Sequence, residues 1–267
     1  MKNKSKELKV AIKAALKAGA VLEKYFETEI LKQFKEDKTI VTLADKESEE
    51  IIKKIISKNF STHSILGEET GMTKKGSEYV WHIDPVDGTR NFSNGIPIFA
   101  VSIALSYQNK VIIGVVYNPV SHSLFYAEAG KGAYLNDKRI FISKDDQDHA
   151  IITVSPGKKI DKEKELLLNL YHDLPKAVRS VRNLGSTAVE LAYVARGGLE
   201  ANIQLGGNTT YDFAAGILLV QEAGGKITTL EGVAWKFPEN HFIASNGVFH
   251  DLLVKEVKRQ KEKLGIK

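Results

Sequence analysis

Trp81-His82-Ile83-Asp84-Pro85-Val86-Asp87-Gly88-Thr89-Arg90-Asn91-Phe92 is the stretch on which the reading of this chain turns. Residues 80–83 are apolar, β-branched and aromatic, the pattern of a buried strand nearing its end. Asp84 and Asp87 follow at once, with Pro85 stiffening the backbone between them. Gly88 and Thr89 permit a tight turn whose N–H groups can point outward at an anion. Two acids at a strand end beside such a turn suit a divalent cation bridging protein and phosphate. They equally suit an ordinary Asx-Pro turn that caps the next element. The stretch alone leaves both readings open, and the sequence around it has to arbitrate.

Upstream, residues 5–26 carry Leu8, Ile12, Ala15, Leu22 and Phe26 near helical spacing, which predicts an amphipathic helix. Residues 31–37 read as a short strand or loop. Residues 39–45 lead into a second helix over 46–60, with Ile51, Ile52, Ile55 and Ile56 as its buried stripe. Asp45 stands at the entrance to that helix, where Asp often serves as an N-cap. Residues 64–67 form a short strand ending in Glu68-Glu69-Thr70-Gly71, and paired glutamates in such a place are usually solvated. Residues 72–78 read as a surface loop.

Downstream, residues 99–107 and 111–117 form a hairpin across Gln108-Asn109-Lys110. Residues 124–127, 132–135 and 138–143 continue the meander, with Asn136-Asp137 as a tight turn. The polar run 144–149 is the expected boundary between an N-terminal α+β half, 1–146, and a C-terminal α/β half, 147–267. In the second half, strands are expected over 151–154, 177–182, 199–205, 226–230 and 242–244. Helices are expected over 162–172, 187–195, 211–223 and 249–264.

The 267 residues suffice for one large domain or two small ones, and 43% hydrophobic with 27% charged residues is ordinary globular composition. A net charge of +5 is mild and spread along the chain, which favours small anionic substrates and gives no indication of nucleic acid. With no cysteine, disulfides, thiolate catalysis and Cys-ligated zinc are excluded. No signal peptide or membrane-length apolar run is apparent, so a soluble cytoplasmic protein is expected, with no membrane partner.

Asp45, Glu68, Asp84 with Asp87, and Asp212 each stand at a strand end or helix start. Hard oxygen donors without Cys or His nearby favour Mg²⁺ or Mn²⁺ over zinc, and crowded acids repel one another unless a cation neutralises them. Helix starts at Thr89, Ser186 and Asp212 offer N–H groups to a phosphate. That describes a metal-dependent site for a phosphorylated small molecule, provided the segments converge. Small residues at Ala214-Ala215-Gly216 permit close packing of the last helix start.

Gly67-Glu68-Glu69-Thr70, the run from Trp81 to Phe92 with Gly95-Ile-Pro97, Tyr211-Asp212-Phe-Ala-Ala-Gly216 and Glu222-Ala-Gly-Gly225 together resemble the inositol monophosphatase superfamily. The resemblance runs in order over about residues 39–225 and implies a layered α-β-α-β-α sandwich of the sugar phosphatase type. It implies a Mg²⁺-dependent, lithium-sensitive phosphomonoesterase, commonly a homodimer, with two or three Mg²⁺ per subunit and Mn²⁺ as a substitute. By motif, Glu68, Asp84 and the Val86 carbonyl hold one metal, and Asp84, Asp87 and Asp212 a second. Glu68 and Thr89 orient and deprotonate the attacking water, with Asp45 accepting from the Thr89 hydroxyl. Asp87, Gly88, Thr89, Gly185, Ser186, Thr187, Gln204 and Asp212 line the substrate.

Three departures bear on specificity. Tyr211 replaces the usual Trp, Gln204 stands where these enzymes usually carry a Glu that bonds inositol hydroxyls, and the 206–210 loop is one residue longer. Inositol 1-phosphate is the first expectation, with fructose 1,6-bisphosphate and adenosine 3′,5′-bisphosphate as alternatives. A bisphosphate substrate calls for extra cations, for which Arg90, Lys158, Arg179 and Arg182 are candidates. A further alternative is a binding role with transcription or RNA-processing machinery, in which catalysis is dispensable.

Overall fold

In the computed structural model, which describes residues 4–26, 33–34, 40–41, 43–156 and 160–266, the two expected N-terminal helices lie side by side as α1 (Lys6–Tyr25) and α2 (Leu43–Asn59). Ser5 caps α1 by accepting from the Leu8 amide, as a Ser at that position is suited to do. Short strands β1 (Gln33–Phe34) and β2 (Ile40–Val41) pair antiparallel between them. The rest of 31–37, with Lys158, lies outside the described residues. Helix α2 begins three residues before its expected start, so Asp45 sits inside the first turn rather than at the cap.

Eight strands follow: β3 (Ser64–Gly67), β4 (Gly71–Thr73), β5 (Tyr79–Asp87), β6 (Ala100–Tyr107), β7 (Lys110–Asn118), β8 (Ser123–Glu128), β9 (Ala133–Leu135) and β10 (Lys138–Ile140). They form one sheet in the order β10-β9-β8-β7-β6-β5-β3-β4, antiparallel except for β3 beside β5. The two tight turns fall where expected: Gln108-Asn109 and Asn136-Asp137 all take positive φ, as two-residue hairpin turns require. Strand β4 corrects the expected 72–78 loop. It is an edge strand with Met72 exposed, so no apolar alternation marks it.

The decisive stretch also differs from its expectation. Rather than ending at Ile83, β5 runs on through Asp84-Pro85-Val86-Asp87. The register against β6 slips between Asp84, opposite Ser102, and Asp87, opposite Ala100, which is a β-bulge. Proline is tolerated in a strand at such an irregularity because its missing N–H breaks no ladder bond.

A second, five-stranded sheet comprises β11 (Ile151–Ser155), β12 (Ser180–Arg182), β13 (Ala201–Gln204), β14 (Lys226–Thr228) and β15 (Phe242–Ser245) in the order β12-β11-β13-β15-β14. It is mixed: β11 runs parallel to both neighbours, while β15 is antiparallel to both of its own. Residues 174–176, expected to precede a strand from 177, form a 3-10 turn around Pro175, and that strand is shortened to β12. Helices α3 (Thr89–Phe92), α4 (Ile160–Asp173), α5 (Thr187–Ala195), α6 (Thr210–Glu222) and α7 (His250–Leu264) complete the chain.

Helices α1 and α2 cover one face of the large sheet around Trp81, Ile83 and Ile103. Helices α5 and α6 fill the space between the sheets around Phe213, Leu191 and Phe242. Helices α4 and α7 close the small sheet from outside around Ile152, Leu170 and Leu253. The result is the expected α-β-α-β-α sandwich. Helix α6 belongs to the second half of the chain yet packs against strands of the first sheet, and that crossing brings its acid to β5. No helix among the described residues is long and apolar enough to cross a membrane.

Candidate active site

The bulge in β5 and the start of α6 meet at three aspartates. Asp84, Asp87 and Asp212 each offer a carboxylate oxygen, and these oxygens lie within 4.8 Å of one another. All three residues are buried. Asp212 is the third residue of α6, and its carboxylate accepts from the Thr209 amide at 2.6 Å, one arm of a capping box. It is therefore not the N-cap expected of a helix-starting Asp. Asp84 Oδ1 accepts from the Val86 amide at 2.9 Å, and this bond follows the bulge. Asp87 Oδ2 accepts from the Ser186 hydroxyl and from the Ala188 amide at 2.7 Å, so the start of α5 is docked on it.

Two contacts fix the start of α6 against the large sheet. The Ser102 hydroxyl donates to the Tyr211 carbonyl at 2.9 Å. His82 bridges Thr210 Oγ1 through Nδ1 at 2.7 Å and Ser106 Oγ through Nε2 at 2.9 Å. Burial pushes that imidazole down to about 4, so it is neutral at physiological pH. The small face of α6 does its expected work. A Cβ on Gly114 would stand 2.7 Å from the Ala215 carbonyl, and one on Gly216 would stand 2.5 Å from the Leu191 side chain.

Gly88 turns the chain out of β5 with φ +95°, and a Cβ there would lie 2.9 Å from the Ile98 carbonyl and 3.2 Å from the Ser186 side chain. Only glycine fits. The Thr89 hydroxyl lies 3.0 Å from the Val86 carbonyl and 3.5 Å from Asp45 Oδ1, so the shorter of its contacts is to the backbone. Asp45 is fully buried behind it. Glu68 lies outside the three-aspartate group, at the end of β3, where its amide donates to the Ile83 carbonyl at 3.1 Å. That bond continues the parallel ladder and sets Glu68 beside Asp84.

On the opposite side, Ser186 caps α5, and Thr187 Oγ1 accepts from Asn208 Nδ2 at 2.9 Å. Gly185 has φ +75°. Gln204 is fully buried: its Nε2 donates to the Gly206 carbonyl at 3.2 Å, while its Oε1 has no hydrogen-bond partner. The His241 ring occupies the space a Gly206 side chain would need, and Asn240 Nδ2 holds the Asn208 carbonyl at 3.0 Å, so the 206–210 loop is braced. Arg90, Arg179 and Arg182 are exposed, and Arg182 spends its guanidinium on Ser180 Oγ and the Val181 carbonyl. None of the described candidates is built into the site as a second phosphate clamp.

Four supporting residues were not singled out by sequence. Glu49, one helical turn after Asp45, turns its buried carboxylate to the Glu69 and Thr70 amides at 2.8 and 3.1 Å and to the Thr70 hydroxyl. It thereby braces the loop that carries Glu68, and a Cβ on Gly67 would press on it at 2.5 Å. Asn91 Nδ2 ties the Ile98 and Leu184 carbonyls at 2.7 Å each. His82 and Glu190 are the others. The spacing of Glu49 from Asp45 was available in the sequence; Asn91, His82 and Glu190 each also bond a partner 24 or more residues away, which no local pattern shows.

The chemistry of this donor set fits a hard divalent cation. Three buried carboxylates within 4.8 Å of one another are mutually repulsive, and their field favours a small dication held through oxygen. The neighbouring imidazole is committed to Thr210 and Ser106, and the chain has no cysteine, so no soft ligand competes.

Comparison with known proteins agrees with this geometry. Residues 3–262 match the model of the inositol monophosphatase family. A fructose-1,6-bisphosphatase/inositol-1-monophosphatase of Aquifex aeolicus is 38% identical over 266 residues, covering 98% of this chain and 99% of its own. A Nus factor SuhB of Pasteurella multocida is 36% identical over 89% of this chain and 90% of its own. The crystal structure of the extragenic suppressor protein SuhB from Bartonella henselae superposes with a TM-score of 0.90 at 34% identity, covering 96% of this chain and 99% of that one.

Proposed function

This chain belongs to the inositol monophosphatase family and is a phosphoric monoester hydrolase; from that premise we propose that it is a Mg²⁺-dependent phosphatase of a small phosphorylated polyol or sugar, inositol 1-phosphate first among them. The observation that carries the reading is the meeting of Asp84, Asp87 and Asp212 beside the Gly88–Thr89 turn and the Ser186 helix start. Asp84, Asp87 and Asp212, with Glu68 and the Val86 carbonyl, are the groups that would hold the metal. Bound there, a divalent cation acts as a Lewis acid, neutralising charge on the phosphoryl oxygens and lowering the pKa of water.

The chain's own groups do the rest. Gly88 and Thr89 present amides to the phosphate oxygens, and Ser186 and Ala188 hold Asp87 from behind. The Thr89 hydroxyl hydrogen is shared between the Val86 carbonyl and Asp45, which leaves a Thr89 lone pair to orient the attacking water. Glu68 accepts the proton that this water gives up as its oxygen bonds to phosphorus. Asp212 orients the water that returns a proton to the leaving alkoxide. The Gln204 region and the 206–210 loop meet the polyol.

Phosphate release from myo-inositol 1-phosphate, fructose 1,6-bisphosphate and adenosine 3′,5′-bisphosphate, each with and without Mg²⁺, tests the reading. Mg²⁺-dependent release favouring the inositol ester is the expected result. Metal binding without turnover of any of the three would overturn it and shift weight to a binding role.

A further inference from the structure

Beneath the turn that carries Ser186 lies a buried carboxyl that the chemistry above does not use. Glu190 of α5 is fully buried against the small sheet. Its Oε2 accepts from the Ser155 hydroxyl and from Asn202 Nδ2 at 2.8 Å, and Asn202 also meets Thr153 Oγ1 at 2.9 Å. Its Oε1 accepts from the Leu184 amide at 2.7 Å, while the next amide, Gly185, donates to Asn183 Oδ1 at 2.8 Å. The same turn is gripped from the other side, where Asn91 donates to the Leu184 carbonyl. Ser186 comes next in the chain, and its hydroxyl rests on Asp87.

We propose that Glu190 is a positioning residue for the phosphatase site, its carboxylate holding the Leu184 amide so that Ser186 stays on Asp87. The proposal rests on the phosphatase reading of that site. Every backbone group facing the carboxyl is a donor, so the ionised form suits the turn and protonation weakens its grip. Burial raises Glu190 to about 7, against the opposing hydrogen bonds from Ser155 and Leu184. From α4, Tyr171 faces it with its hydroxyl given to the Val154 and Arg182 carbonyls, and burial together with the Glu190 charge pushes that phenol up to about 12. Tyr171 therefore stays neutral while Glu190 titrates. From β11 and β13 the facing groups are Thr153, Ser155 and Asn202, and α6 meets α5 through Gly216 against Leu191.

The test is the pH dependence of the Leu184 amide signal in ¹⁵N-labelled protein, wild type beside Glu190→Gln. In wild type that signal should move with a midpoint near 7 and in the variant stay flat. In the phosphatase assay, wild-type kcat should fall about tenfold below that midpoint with KM little changed, while Glu190→Gln stays uniformly low. Ser155→Ala covers the case in which the Gln variant fails to fold; it removes one donor and should raise the amide midpoint. A Leu184 amide that ignores pH in wild type, or a midpoint unmoved by Ser155→Ala, would overturn the proposal. So would a folded Glu190→Gln with wild-type kcat and pH profile. If wild type binds metal but hydrolyses nothing while the Leu184 amide still titrates, the phosphatase reading fails and the hold on the turn stands.

Discussion

Gln204 shows how much one side chain can settle. Its Oε1 is buried with no hydrogen-bond partner, and an orphaned buried acceptor costs about 1–3 kcal/mol. A protein that keeps such an atom next to a braced loop keeps it for a ligand or loses stability for nothing. The two cases separate cleanly in Gln204→Leu. If substrate binding opens the way to Oε1, which is closed to solvent in this structure, and a polyol hydroxyl donates to it, the variant should have a higher melting temperature without substrate and a kcat/KM for inositol 1-phosphate lower by about tenfold, one hydrogen bond in the transition state. Its Mg²⁺ dependence should be unchanged, because Gln204 is not among the metal-holding groups. A variant that melts higher and hydrolyses inositol 1-phosphate as well as wild type would show that the substrate makes no use of Gln204.

At the scale of elements, the site is a junction of a bulged strand, a four-residue helix and two longer helix starts. Gly88 is where they press together, with φ +95° and no room for a Cβ between the Ile98 carbonyl and Ser186. Gly88→Ala should destabilise the fold by about 1–3 kcal/mol and lower kcat by more than that loss of folded protein explains. Thermal melts read against single-turnover phosphate release distinguish the two, and a variant that lost stability alone would separate the turn from catalysis. The junction was partly legible in the sequence. Asp84, Asp87, Gly88 and Thr89 are consecutive enough for local chemistry to announce them, and hairpin turns such as Asn136-Asp137 carry their own φ preference. The continuation of β5 through Pro85 was not, because a bulge is fixed by the register against β6, which no local pattern encodes. The edge strand β4 escaped for a different reason: with Met72 exposed it has no buried face to show. Nothing local marks Glu190, and only the approach of β11 and β13 makes it a buried anchor.

At the scale of the whole molecule, the three aspartates come from two layers of the sandwich, β5 in the large sheet and α6 in the layer between sheets. Packing and hydrogen bonds between the layers hold them together, since like charges at this separation push α6 away from β5. Close backbone contact at Gly114 and Ala215, the Ser102 bond to Tyr211 and the His82 bridge are the attachments that resist it. A dication held there would reverse the sign of that interaction and tie the layers together. Magnesium at about a hundred times its dissociation constant should therefore stabilise the protein by about 2.7 kcal/mol, a rise in melting temperature of about 5–10 °C. Asp84→Asn separates this account from a nonspecific salt effect. The Asn keeps an acceptor for the Val86 amide but removes one charge from the cluster. Its metal-free melting temperature should lie above that of wild type, and magnesium should raise it little. A metal-free Asp84→Asn less stable than wild type, or one that gained as much from magnesium, would show that charge repulsion between the layers is not what the cation relieves.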